Sequence, residues 1–412
     1  MTLQDKIQSV ILSKKTDSGK RKFGIEEEII LHTLDNKRLP VNRGEIFSCY
    51  DFVEILNNEN NTGGIYSLEP GGQIEWSSLP YKNLNNLNQA MKNHHDLLEK
   101  VALNNNVKVI DYALEPIYKP LDIELINEKK YQLMDKNMVE NGEMGRWMMR
   151  NTASIQVNFD PLGLEDVERM VFVSDCIHPV AAYLFANCPY KENLKTGLVN
   201  IRNLIWENTD KVRCRNLFDH GIEKSKGLVN NYIEYILNVP NIFQIDRKGK
   251  VVDSNGTIKD RLKKLMDMNK LTNHDISVAL HQIFTNVRLK DLVEVRGSDR
   301  TPRGFEMSPV AFWVGLLADI KVRDSLYKIL IQWNKKDRLL FNKCALELDL
   351  KQKGPQGKSY GEWVKIIGNF ALDGLKNRNL NEEKLFEKFY FLVLQNGPFS
   401  LQIQANESTY NP

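Results

Sequence analysis

The chain has 412 residues, 42% of them hydrophobic and 26% charged, and a net charge of +3. That length admits one large domain or a few small ones, and the balance is ordinary for a soluble globular protein. Near-neutrality excludes a broad electrostatic footprint for nucleic acid, and the lack of any run of roughly 18 apolar residues excludes a helical membrane span.

In chain order, Phe23–Ile29 is the first predicted strand. Ser67–Trp76 is the second strand-like stretch, interrupted by the turn signal Pro70-Gly71-Gly72. Residues 83–104 carry Leu84, Leu87, Ala90, Leu97, Leu98 and Val101 on one stripe, which predicts a helix. Val107–Tyr112 and Ser154–Phe159 are strand-like. Residues 164–187 form a strongly apolar helix with an expected kink at Pro179. Arg247–Lys270 is charged and poor in aromatics, so a surface excursion is expected there. Leu292–Arg296 is the last polar-faced strand. Beyond Pro309 the pattern turns helical: Ala311–Ile320, Asp324–Trp333, Tyr360–Leu375 and Glu382–Gln395. Strands first and helices later predict an α+β fold, with helices packed on one side of an antiparallel sheet.

Side chains alternate across a strand, so Glu26 shares a face with Glu28, Gln73 with Glu75, Gln156 with Asn158, and Glu294 with Arg296. Like charges that close repel, and a divalent cation is the usual reason to assemble them. Hard cations such as Mg²⁺ take oxygen ligands and bind substrate phosphates at the same time. The Pro-Gly-Gly step is placed to fold Glu75 back toward Glu69. These strands therefore predict an ATP-using site on a sheet face. Glu27, of opposite parity, is assigned to a solvated strand edge, and its replacement is expected to matter far less than that of Glu26 or Glu28.

Other motifs carry less. Gly357-Lys358-Ser359 lacks the first glycine of a phosphate-binding loop, since Gln352 stands there, and is expected to be a plain turn. His94 and His95 are neighbours on a predicted surface helix, where adjacent side chains diverge and do not chelate together. His178 is expected to be a core histidine. Cys49, Cys176, Cys188, Cys214 and Cys344 are odd in number and contain no CxxC pair, so reduced thiols in a cytoplasmic protein are expected. The amino-terminal residues lack the apolar core of a signal peptide.

Several runs together resemble a known family. They are Phe23-Gly24-Ile25-Glu26-Glu27-Glu28, Ser67-Leu68-Glu69-Pro70-Gly71-Gly72-Gln73-Ile74-Glu75-Trp76-Ser77, and Thr152 through Asp160. Leu184 through Tyr190, Ile205 through Arg213, Val287 through Asp299 and Ala311 through Leu317 continue the match. Over roughly residues 20 to 395 the chain resembles the plant and proteobacterial type of glutamate–cysteine ligase, and Ser-Leu-Glu-Pro-Gly-Gly-Gln is the most specific run. The resemblance implies a glutamine-synthetase-like core: a curved antiparallel sheet with the active site on its concave face and helices on the outer side. It implies a single catalytic domain over residues 1–412, helical from about 305 to 400. It also implies that ATP and several Mg²⁺ ions serve to phosphorylate the γ-carboxylate of glutamate, and that the cysteine amine attacks the acyl phosphate to give γ-glutamylcysteine.

On this basis Glu26, Glu28, Glu69, Glu75 and Glu294 are assigned to metal, and Arg296 with Glu294 to catalysis. Gln156 and Asn158 are assigned to nucleotide or metal-bound water, and Arg202 and Arg213 to the glutamate carboxylates. Each arginine has an ion-pair alternative. The partners expected are the small molecules glutamate, ATP and an amine, with neither nucleic acid nor membrane, and a homodimer and a monomer both stay open. One departure is Asn151, preceded by Arg150, where the plant enzymes are expected to carry Arg; a one-residue offset flips a strand's face. A plant-type transit segment is not seen either, which fits a bacterial cytosolic protein. A ligase for another amine and a catalytically dead relative are the alternatives.

Overall fold

The computed structural model describes residues 1–61 and 63–406. Its strands are β1 (Phe23–Thr33), β2 (Ile65–Leu68), β3 (Ile74–Ser77), β4 (Val107–Ile110), β5 (Ser154–Phe159), β6 (Tyr190–Lys191), β7 (Leu194–Lys195), β8 (Phe243–Ile245), β9 (Val251–Asp253), β10 (Val287–Leu289) and β11 (Val293–Asp299). Seven of them form one sheet in the order β10-β11-β5-β1-β3-β2, with β4 pairing the far end of β1. Every pairing in this sheet is antiparallel. The two short hairpins β6-β7 and β8-β9 lie apart from it.

The alternation of β1 explains which face is which. Ile25, Glu27 and Ile29 pair across with Val157, Trp76 and Ile74 respectively, and all six are buried. That face shares one apolar core with the helices Leu84–Asn104, Leu164–Leu184 and Met307–Leu317. Glu26 and Glu28 are left on the other face, at intermediate exposure. The chain thus has the expected α+β layering, with helices backing an antiparallel sheet.

The second expected strand is in fact a hairpin. β2 and β3 pair Ser67 with Glu75 and Leu68 with Ile74, and residues 69–73 make the turn between them. The Glu69 N–H donates to the Gln73 carbonyl at 2.9 Å, and the Gly72 N–H to the Glu69 carbonyl at 2.8 Å. Gly72 sits at φ +77°, a conformation that suits glycine. A Cβ on Gly71 would lie 2.5 Å from the Arg150 backbone, so this turn needs glycine for close approach as well. Gln73 shares its strand's parity with Glu75, but its side chain is buried within the turn region. Its amide donates to the carbonyls of Met149 and Thr152 and accepts from the Gly71 N–H.

Helix ends follow local capping chemistry. Leu164–Leu184 continues through Pro179. The charged excursion contains the β8-β9 hairpin and the helix Ile258–Asp267, opened by a reciprocal cap between Thr257 and Asp260. Helices without a sequence expectation, Leu3–Ile11, Cys49–Glu59 and Lys335–Cys344, begin with the same device at Thr2/Asp5, Ser48/Asp51 and Asn334/Asp337. Ser359 caps the helix Tyr360–Asn377 with Glu362, so the Gly-Lys-Ser run is a turn and helix start.

Candidate active site

Three rows of side chains cross the open face of the sheet. In the first, Ser67 lies opposite Glu75, Glu75 opposite Glu28, and Ser154 donates to Glu28 from its backbone N–H at 2.7 Å and its hydroxyl at 2.9 Å. In the second, Glu26 lies opposite Gln156, whose amide Nε2 donates to Glu28 at 3.0 Å and whose Oε1 accepts from Arg296 at 2.5 Å. In the third, Asn158 lies opposite Glu294, and Glu294 opposite Arg288. Asn158 donates to Glu26 at 2.9 Å. The β2-β3 turn adds Glu69, and Glu26, Glu28, Glu69 and Glu75 line one cavity of about 240 Å³.

The cavity is electrostatically divided. Burial, and then the Glu69 charge, push the Glu28 carboxyl up to about 7. Burial also raises Glu69, and burial with the charges of Glu69, Glu26 and Glu28 holds Glu75 well above the usual carboxylate range. Such a cluster is costly to ionise and has the all-oxygen donor chemistry that a hard divalent cation prefers. On the other side Arg288, Lys290 and Arg296 gather around Glu294. Its carboxylate meets Arg288 Nε at 2.5 Å, Lys290 Nζ at 2.6 Å and Arg296 Nη1 at 2.9 Å. Burial opposes ionisation of Glu294, but these three cations outweigh it and hold the carboxyl well below its ordinary value. An acidic pocket beside a basic one suits a cation-bound polyphosphate.

A family model for glutamate-cysteine ligase family 2 matches residues 22–352. The chain belongs to that family. Among its relatives, the chloroplastic glutamate–cysteine ligase of Medicago truncatula is 29% identical over 405 residues, which span 93% of this chain and 77% of that protein. The Brassica juncea enzyme of the same name is 32% identical over 327 residues, 77% of this chain and 62% of that protein. A Francisella tularensis glutamate–cysteine ligase solved in complex with AMP superposes with a TM-score of 0.59 at 13% identity, covering 95% of this chain and 86% of that one. A bifunctional glutathione synthetase from Pasteurella multocida gives 0.51 at 12% identity, over 98% of this chain and 50% of that one. At such identities the two structures speak for the fold.

Within this family-2 chain, some expected site residues converge and others do not. Glu26, Glu28, Glu69, Glu75, Gln156 and Arg296 line the same cavity. Glu294 is fully buried beneath it with its oxygens engaged by cations, so a direct metal-ligand place does not fit its contacts. Gln156 and Asn158 are used in holding Glu28, Arg296 and Glu26. Arg202 is buried, lies 3.6 Å from Asp299 and stacks over Trp206, whose ring also faces Arg296. Arg213 is corrected to a structural role. It is fully buried and donates to Asp210 and to the carbonyls of Gln282 and Pro240, which tie three segments together. Arg150 is likewise consumed by Asp135 and the carbonyls of Pro120 and Ile123.

Sequence reasoning missed Arg288, Lys290, Lys130 and Tyr131, all of which line the cavity. Arg288 on β10 and Lys290 just past its end carried a signal, because they alternate with Val287 and Leu289. The surface-edge reading of Glu27 is overturned. β1 is paired on both sides, and Glu27 lies on its helix-covered face, fully buried against His94, His95 and Arg300. The surface reading of His94 and His95 fails with it, since both rings reach the same Glu27 oxygen. His178 is buried, as expected of a core histidine. All five cysteines are unbridged and buried. Among the described residues no helix is long and apolar enough to cross a membrane.

Proposed function

We propose that this chain is an ATP-dependent ligase that joins the γ-carboxylate of glutamate to the amine of cysteine through a γ-glutamyl phosphate. The observation that carries this reading, beside family membership, is the direct opposition of Glu28 and Glu75 next to the Arg288–Lys290–Arg296 cluster. A fold places like charges across a strand pair at a cost unless a cation joins them.

Glu26, Glu28, Glu69 and Glu75 would hold Mg²⁺, while Glu294 fixes the basic groups. When bound, the metal neutralises charge on the transferring phosphoryl group. Arg288, Lys290 and Arg296 face that charge from the other side and are held rigid by Glu294, so little reorganisation is needed as charge moves. Gln156 links the two halves by touching both Glu28 and Arg296. Arg202, stacked on Trp206 beside Arg296, is the arginine we assign to a glutamate carboxylate, because its Nε has no partner in a buried setting. The residues around the cavity would keep water from the acyl phosphate until the amine arrives. We take the helical part after Met307 as belonging to the same catalytic unit, since Met307–Leu317 shares the core behind the sheet. Buried, unbridged thiols favour a reducing compartment.

The test is Mg²⁺-dependent ADP release with glutamate across a panel of amines headed by cysteine, with the product identified by mass. Selective stimulation by cysteine with γ-glutamylcysteine formed supports the proposal. Stimulation by another amine replaces the acceptor, and no ADP with any amine refutes ligase activity.

A further inference from the structure

Behind β1, on the face away from the cavity, three potential metal ligands meet. Glu27 comes from the central strand, and His94 and His95 from the helix Leu84–Asn104. Glu27 Oε2 lies 3.3 Å from His94 Nε2 and 3.0 Å from His95 Nε2. The carboxylate oxygen and both ring nitrogens are buried, yet none of the three has a well-directed hydrogen bond. The ring N–H directions therefore miss the oxygen although the atoms are close. Ligands of a tetrahedral zinc centre, with metal bonds of about 2.0–2.1 Å, sit roughly 3.3 Å apart and aim at a shared point instead of at each other. The three donor atoms all lie within 4.8 Å of one another, so small ring movements close the set.

We propose that Glu27, His94 and His95 form a Zn²⁺ site, with the fourth position left to water. Glu306 stands beside it, its Oε1 3.6 Å from His95 Nε2, but both its oxygens accept from the Gly304 N–H. Two imidazoles with a carboxylate are a zinc donor set and a poor one for Mg²⁺, which prefers oxygen throughout. Supporting contacts are in place. His94 Nδ1 is 3.0 Å from the Tyr66 hydroxyl, the outer partner that fixes which ring nitrogen binds metal. Trp76 stacks on the His94 ring at 4.4 Å and 2°, which fixes its plane. Arg300 takes the other oxygen of Glu27 at 3.1 Å and also pairs with Asp111.

The ion would pin the helix Leu84–Asn104 to the strand that carries Glu26 and Glu28 on its opposite side. The site differs in place and ligand type from the proposed Mg²⁺ cavity, and stands whether or not the ligase reading does.

The test is to strip the full chain of metal with a chelator, return it to buffer containing excess Mg²⁺, and titrate with Co²⁺ while recording visible absorption. Intense d–d bands of a four-coordinate centre, saturating at one ion per chain and displaced by Zn²⁺, are expected. His95→Gln should lose these bands, Tyr66→Phe should weaken binding by about tenfold, and Glu75→Gln should leave the spectrum unchanged. The wild-type spectrum decides the question even where His95→Gln does not fold. Weak bands of a six-coordinate oxygen site, bands lost in Glu75→Gln but kept in His95→Gln, or no Co²⁺ uptake would each overturn the proposal.

Discussion

Replacing Glu69 with Gln removes one negative charge from the carboxylate cluster while keeping the side chain's size. Glu28 ordinarily ionises at 4.5 but is pushed up to about 7, first by burial and then by Glu69. Between those values an unfolded chain gives up its proton while the folded one still holds it. Below about pH 4.5 both forms are protonated and Glu28 is neutral in its effect; as pH rises from there to about 7 the cation-free fold loses about 3 kcal/mol at this group, and above about 7 it loses no more. The part owed to Glu69 is on the order of 1 kcal/mol, taking a like-charge pair in a partly polar interior. At roughly 2 cal/mol/K per residue, that gain raises the melting temperature of a chain this long by roughly 1 °C. Glu69→Gln is therefore expected to lose ADP release while melting no lower than wild type at pH 8 in chelator. The gain should vanish at pH 4, and Mg²⁺ should protect wild type more than the variant. Thermal denaturation at both pH values, with and without Mg²⁺, reads all of this. A variant that melts several degrees lower in chelator at pH 8, or that keeps its turnover, would refute the placement of Glu69 as a cation ligand.

Glu27→Gln is expected to destabilise the fold by about 3–5 kcal/mol, because it leaves Arg300 buried beside a lost charge; equilibrium denaturation checks this, and a loss below 1 kcal/mol would refute it. Arg296→Ala should lower kcat by about 10²–10³-fold with the fold intact. Arg213→Ala should instead lower the melting temperature and leave the KM for glutamate unchanged in the molecules that stay folded; a raised KM would return Arg213 to the substrate site. All five thiols are buried, and burial pushes Cys49, Cys176 and Cys214 up to about 12, so an aromatic disulfide reagent at pH 8 should label the chain only once it unfolds.

The cavity face was legible because period two is a property of the backbone. Glu26 and Glu28 share a side whatever lies around them, and Pro70-Gly71-Gly72 marks the turn that brings Glu69 near Glu75. What alternation does not reveal is which side meets water. Glu27 looked like an edge residue because a charged side chain is ordinarily solvated, and only the helix Leu84–Asn104 supplies the partners that make its burial tolerable. His94 and His95 diverge by about 100° around their helix, yet two long imidazoles at the contact with the sheet still reach one oxygen. Arg213 was misplaced for a related reason. Its acceptors on Gln282 and Pro240 are far away in sequence. Arg288 and Lys290 were visible as an alternating pair, but their meaning came with the β10-β11 pairing that sets Arg288 opposite Glu294.

The three consecutive glutamates of β1 look two ways. The outer two line the cavity and the middle one faces the helices, with one backbone between them. Most substitutions in this triplet would injure one side and spare the other. A deletion or insertion of one residue upstream within the strand would exchange the sides, sending two carboxylates into oil and an isoleucine into the cavity. Across descendants of this chain, length changes should therefore accumulate in loops such as the one following Thr33, while the spacing from Phe23 to Ile29 stays fixed even where its letters drift.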